Sequence, residues 1–107
     1  MQKRIYLLST LLPTLGFLFA TPALSAEADL AKAEKVYKRS CATCHGKQGE
    51  KPAMGESKII NQLQPEEIST ALSERKAGNI TGAGSPAKQR LSEQDIHNLS
   101  EYIQILK

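Results

Sequence analysis

The chain is short of the residues that most site chemistries need in numbers. Its 107 residues include two cysteines, two histidines and two methionines. A structural zinc site calls for four ligands. The whole supply is Cys41, Cys44, His45 and the remote His97, and Cys44 and His45 adjoin too closely for easy tetrahedral binding. No useful length of alternating apolar and polar residues is present, so a thioredoxin-like dithiol lacks the βαβ pattern that would carry it. No methionine follows Met54, and there is no internal repeat, low-complexity tract or second domain. An excess of one charge is also missing. The formal net charge of +3 includes Lys3 and Arg4; residues 27–107 keep 12 basic and 11 acidic groups. So balanced a chain, without a basic face interleaved with aromatics, gives no support to nucleic-acid binding.

What is present begins with a leader. Lys3 and Arg4 precede a mostly apolar run from Ile5 to Ala20, and small residues follow through Ala23-Leu24-Ser25-Ala26-Glu27-Ala28. This is the pattern of a secretory signal peptide, with cleavage expected between Ser25 and Ala28. Pro13 and Gly16 interrupt the run, which argues against a stable membrane span; an uncleaved anchor is the alternative. No cysteine follows to carry a lipid. The expected division is therefore residues 1–26 as signal and residues 27–107 as one domain of about 81 residues, exported to the periplasm. A domain this small buries only a modest core.

The densest chemistry lies in Cys41-Ala42-Thr43-Cys44-His45. On a helical turn, residues three apart project from one face. Cys41 and Cys44 can then add across the two vinyl groups of one porphyrin edge, and the following imidazole is suited to bind its iron. The spacing reads as a covalent attachment site for haem, with Cys41, Cys44 and His45 as cofactor-binding residues and His45 as the metal ligand. A Cys41–Cys44 disulfide is the expected fate of the haem-free chain in an oxidising compartment. Haem supplies a large apolar disc around which a small core can be completed, so poor folding is expected without it.

The periodicity predicts an all-α protein of three main helices. The first spans about Asp29 to Ser40, with Leu30, Ala33, Val36 and Tyr37 on one face. The second starts at Pro65, with Glu66 and Glu67 in its first turn and Leu63 placed to staple against Ile68; it ends near Gly78. The third is capped by Ser92 with Asp95 three residues on, and Leu91 can staple against Ile96. Its stripe of Ile96, Leu99, Ile103 and Leu106 should pack on the first helix and the haem edge. The loops Gly46 to Ser57 and Gly78 to Arg90 are rich in Gly, Pro, Ser or Lys, and are expected to wrap the cofactor.

With the leader, the Cys-x-x-Cys-His-Gly element and the late Leu-Ser-x-x-Asp-Ile helix assembled, the chain resembles the small bacterial class I c-type cytochromes over nearly all of residues 29–107. Tyr37 matches the aromatic of the family's N-terminal helix and Tyr102 that of its C-terminal helix. Ala33 stands where the contact between those helices usually has Gly. The resemblance implies a small cytochrome c fold around one covalent haem c, and a loop carbonyl near Pro52 accepting the second His45 N–H. It also implies a methionine on the iron's other side, about seven residues before Leu91. That position is Gly84, in Gly84-Ser85-Pro86.

Candidates for the missing ligand are Met54, Lys88, Asn79 and His97, each with a plainer reading. Met54 would pack, Lys88 would lie at the surface, Asn79 would make a turn, and His97 would be solvated beside Glu101. An open or water-bound iron is the remaining outcome. The expected function is a periplasmic carrier of single electrons, not an enzyme, acting with periplasmic or membrane-bound redox proteins as a monomer. Lys47, Lys51, Lys58 and Lys88 could rim the haem edge and steer acidic partners. The alternative is a haem protein that binds or senses a small ligand at an open distal site, with Asn79, Thr81 or Lys88 donating hydrogen bonds. A peroxidase-type enzyme would need a distal acid–base pair, for which His97 alone is poor evidence.

Overall fold

A computed structural model describes residues 27–55 and 57–107, with the isolated positions 13, 14 and 16. The predicted leader, apart from Pro13, Thr14 and Gly16, lies outside the described residues. Among those described there are helices and no strands. They run α1 (Leu30–Ser40), α2 (Ala42–His45), α3 (Pro65–Lys76), α4 (Ser85–Gln89) and α5 (Glu93–Gln104), with single 3₁₀ turns at Ala53–Gly55 and Ile60–Gln62.

Each long helix starts where local chemistry dictates. The Asp29 carboxylate accepts the Lys32 N–H at 2.9 Å, which makes Asp29 the cap of α1. Pro65 opens α3, where its missing N–H leaves nothing unsatisfied, and the Glu67 carboxylate reaches back to the Gln64 N–H at 2.8 Å. At α5 the predicted reciprocal pair is complete: Ser92 Oγ accepts the Asp95 N–H and the Asp95 carboxylate accepts the Ser92 N–H, both at 3.0 Å. The helix α3 ends at Lys76, and Gly78 turns the chain away at φ +84°, a backbone region open to glycine.

The core is a helix-on-helix sandwich. α5 lies between α1 and α3, so its stripe of Ile96, Leu99 and Ile103 is sealed on both sides. Ala33, Val36 and Tyr37 come from α1 and Ile68 from α3, while Leu63 and Leu106 pack from the edges. Ala33, 1% exposed, sits within this contact, where a small side chain lets the neighbouring elements approach. Tyr37 and Tyr102 meet with ring centroids 5.6 Å apart and planes tilted by 54°, a favourable aromatic arrangement. Asn98, fully buried, ties down the start of α1: its Oδ1 accepts the Asp29 N–H at 2.9 Å and a Gln94 amide N–H at 2.8 Å.

One element was not foreseen. The segment predicted as loop from Gly78 to Arg90 contains α4, whose start is Ser85-Pro86. Five residues are too few for an apolar periodicity to register, and the signal that survives is the proline in the first turn. Gly84-Ser85-Pro86 is therefore a helix entry, and α4 packs on α3.

Candidate functional site

The last turn of α1 runs directly into α2. The Cys41 N–H donates to the Tyr37 carbonyl at 2.8 Å, closing α1, and the Cys41 carbonyl then accepts from Cys44 at 3.2 Å and His45 at 3.0 Å. Cys41 and Cys44 are thus one tight turn apart with backbones fixed by hydrogen bonds. Both thiols are free; Cys41 is half-buried and Cys44 exposed. The turn ends at Gly46, φ +85°, where a Cβ would run into the Glu50 carboxylate. Tyr37 Oη donates to the Gly46 carbonyl at 2.6 Å, so the aromatic core residue of α1 also clamps the end of the cysteine turn. Burial, with smaller effects from Cys41 and Glu50, pushes the Tyr37 phenol up to about 12, so it remains a donor at any ordinary pH.

Burial also pushes the Cys41 thiol up, to about 11, with Lys88 opposing and Cys44 reinforcing. The His45 imidazole is shifted below its ordinary value by burial first, then by the positive charges of Lys88 and Arg75. Those influences favour the neutral ring, the form that binds a metal. His45 Nδ1 is buried and meets no hydrogen-bond partner among the described residues. The expected bond to a carbonyl near Pro52 is not formed: the Pro52 carbonyl accepts the Gly55 N–H at 2.9 Å instead.

The residues weighed for the iron's other side fall in different places. Met54, read as a packing residue, is 78% exposed. It occupies a left-handed position, φ +59°, beside Gly55 at +73°, and this turn carries its side chain outward. Asn79 is held at the end of α3 by its amide, which donates to the Glu74 carboxylate at 2.9 Å. His97 is exposed, as expected, and lines shallow surface grooves with Glu66, Glu93 and Glu101, away from the cysteine turn. Thr81 is exposed. Lys88 differs from the expected surface lysine. It is half-buried on α4, and its charge acts on Cys41 and His45. Burial and Arg75 push the Lys88 amine below its ordinary value, while Cys41 and Cys44 oppose the shift.

Arg75 is the contributor that the sequence pattern did not single out. It is half-buried in the last turn of α3, where a cation suits the helix dipole, and one guanidinium N–H donates to the Ala71 carbonyl at 3.2 Å. Its position in that last turn was the available signal.

The donor set therefore fits a covalently held haem: two free thiols a turn apart, a neutral imidazole following them, and one buried ring nitrogen left without a protein partner. An all-α frame around such a turn defines a class, proteins that carry a porphyrin by thioether bonds. Comparison with known proteins narrows the class to a family. Residues 28–103 match the family model described as cytochrome c oxidase, cbb3-type, subunit III. A cytochrome c-553 of Helicobacter pylori strain 26695 is 41% identical over 83 residues, covering 77% of this chain and 86% of the relative. The cytochrome c-553 of strain J99 is 39% identical over 74 residues, 68% of this chain and 77% of the relative. A cytochrome c-554(547) of Halothiobacillus neapolitanus is 36% identical over 91 residues, 74% of this chain and 98% of the relative. The chain belongs to the small monohaem c-type cytochromes, which hold haem c covalently and carry electrons between redox proteins. These relatives favour electron carriage over the ligand-binding reading. Members of this family typically work outside the cytoplasm, and no helix among the described residues is long and apolar enough to cross a membrane.

Proposed function

We propose that Cys41 and Cys44 form the thioether bonds to one haem c, that His45 ligates its iron, and that the loaded domain of residues 27–107 carries single electrons in the periplasm. The observation that carries this reading is the His45 turn itself, with two free thiols on consecutive turns and an imidazole biased towards its neutral form. When bound, haem supplies a one-electron iron couple at the protein edge. The chain does the rest. The Cys41–Gly46 turn, clamped through Tyr37, fixes the thiols and the imidazole relative to the α1–α5 core.

The leader pattern supports export and removal of residues 1–26. Partners are redox proteins of the periplasm or its bordering membrane, met by a monomer with no catalytic reaction of its own. Lys47, Lys51 and Lys58 are exposed on the loop that follows the cysteine turn, and they are the residues available for steering an acidic partner. Stepwise reductive titration of the haem-loaded protein should show one reversible one-electron optical transition. A saturable gas complex in place of reversible electron exchange with a carrier protein would overturn the carrier reading in favour of ligand binding.

A further inference from the structure

Gly84 and Lys88 lie four residues apart across the entry and first turn of α4, and four-residue spacing puts two positions on the same helix face. They also share one volume: a Cβ built at Gly84 would lie 2.7 Å from Lys88 Nζ. The missing side chain at position 84 is thus what gives the amine its place. Lys88 is half-buried, yet among the described residues its amine has neither an ion pair nor a hydrogen-bond partner. Its Nζ still reaches solvent, so the stem is covered while the amine stays free to engage a group bound beside it. Its charge acts on both Cys41 and His45. The other nitrogen and sulfur donors are directed elsewhere: Met54 outward, the Asn79 amide to Glu74, and His97 to the exposed face of α5.

We infer that in this chain the Lys88 amine, placed in the volume beside Gly84, is the second axial ligand of the haem iron. The inference rests on the haem attachment proposed above. Binding releases one proton from the ammonium to solvent, and the freed nitrogen lone pair forms the bond to iron; no electron changes hands in the step. Lysine has the chemistry for this because its ammonium can give up a proton, whereas the arginine guanidinium stays protonated in proteins.

The test uses the haem-loaded, ferric full domain and two readouts, the electron paramagnetic resonance and optical spin state, and the affinity for added cyanide. Wild type should be low-spin, with nitrogen-type signals and no far-red sulfur-to-iron band. Lys88→Ala and Lys88→Arg should both become high-spin. If the amine holds the site in roughly nine of ten molecules, its removal raises the apparent cyanide affinity about tenfold. Arginine separates ligation from a merely structural cation, since it keeps charge and bulk but cannot bind iron. Gly84→Met must displace the amine from its volume, so the sulfur band should appear and the reduction potential should rise. A high-spin wild type would overturn the inference. So would a low-spin spectrum that survives in Lys88→Ala or Lys88→Arg, or a Gly84→Met protein with the wild-type signature. Haem retention after acid unfolding, measured on the same samples, reports the thioether bonds separately, so failure of attachment and failure of Lys88 ligation cannot be confused.

Discussion

The junction of α1 and α5 and the corner between the cysteine turn and α4 follow opposite rules. At the junction, Ala33, Tyr37, Leu99 and Ile103 are sealed, and Asn98 Oδ1 is doubly hydrogen-bonded. At the corner, thiols, an imidazole and an amine crowd together with few bonds among them. The junction is closed by apolar packing, with the Asn98 Nδ2 its one unpartnered buried amide among the described residues, and the corner has side chains arranged for something that is not protein. Tyr37 belongs to both, packing on Tyr102 and holding the Gly46 carbonyl.

Changes in the two regions should therefore separate cleanly into spectral and stability effects. The largest effect is expected from Cys41→Ser with Cys44→Ser, which should abolish covalent retention of haem altogether, read as haem stain on a denaturing gel; a stained band would break the distinction. In the junction, Leu99→Ala in the loaded protein should lose about 2–5 kcal/mol in denaturant unfolding, the range for a buried leucine that leaves a cavity, with the haem spectrum unchanged. Tyr37→Phe sharpens the comparison because it strips the shared residue of its bond to Gly46. The Gly46 carbonyl keeps the Gly49 N–H at 3.3 Å, so losing the phenol bond should cost about 1 kcal/mol, and here the haem spectrum should shift as well.

The smallest effect lies at the α5 cap. Ser92→Ala should cost about 1 kcal/mol with no spectral change. Hydrogen bonds from the Ser92 backbone hold the Asp95 carboxyl below its ordinary 3.8, with partial burial opposing and the Ser92 hydroxyl and Lys32 adding to the shift. A carboxyl depressed on folding contributes stability that is fully present above its unfolded value and is lost as pH falls through the folded one. An Asp95→Asn variant should therefore have a flatter acid unfolding profile below about pH 4, and an unchanged profile would remove Asp95 from the account.

Legibility in the sequence followed the same division. The long helices were readable because the apolar face of α1 and the stripe on α5 have the period of their structure, and Pro65 and the Ser92–Asp95 pair impose local geometry; the Asp29 cap was not read in advance. That Cys41, Cys44 and His45 share one turn was readable from their spacing. What escaped was set by non-local contact. α4 is too short to show a period, Met54 is turned outward by its own left-handed backbone, and the His45 Nδ1 finds no partner among the described residues. Lys88 looked like any surface lysine because its partial burial comes from the seating of α4 on α3, which spacing does not show, and the same packing brings Arg75 near the site.

The central claim is that this domain holds one haem through Cys41 and Cys44. The most direct measurement is the intact mass of the protein recovered from the periplasm of a host able to attach haem, taken after unfolding in acid. The account predicts a chain beginning close to residue 27 that carries the mass of one haem, with the modification confined to the peptide containing both cysteines. A mature chain of haem-free mass, or haem that leaves on unfolding, would contradict it.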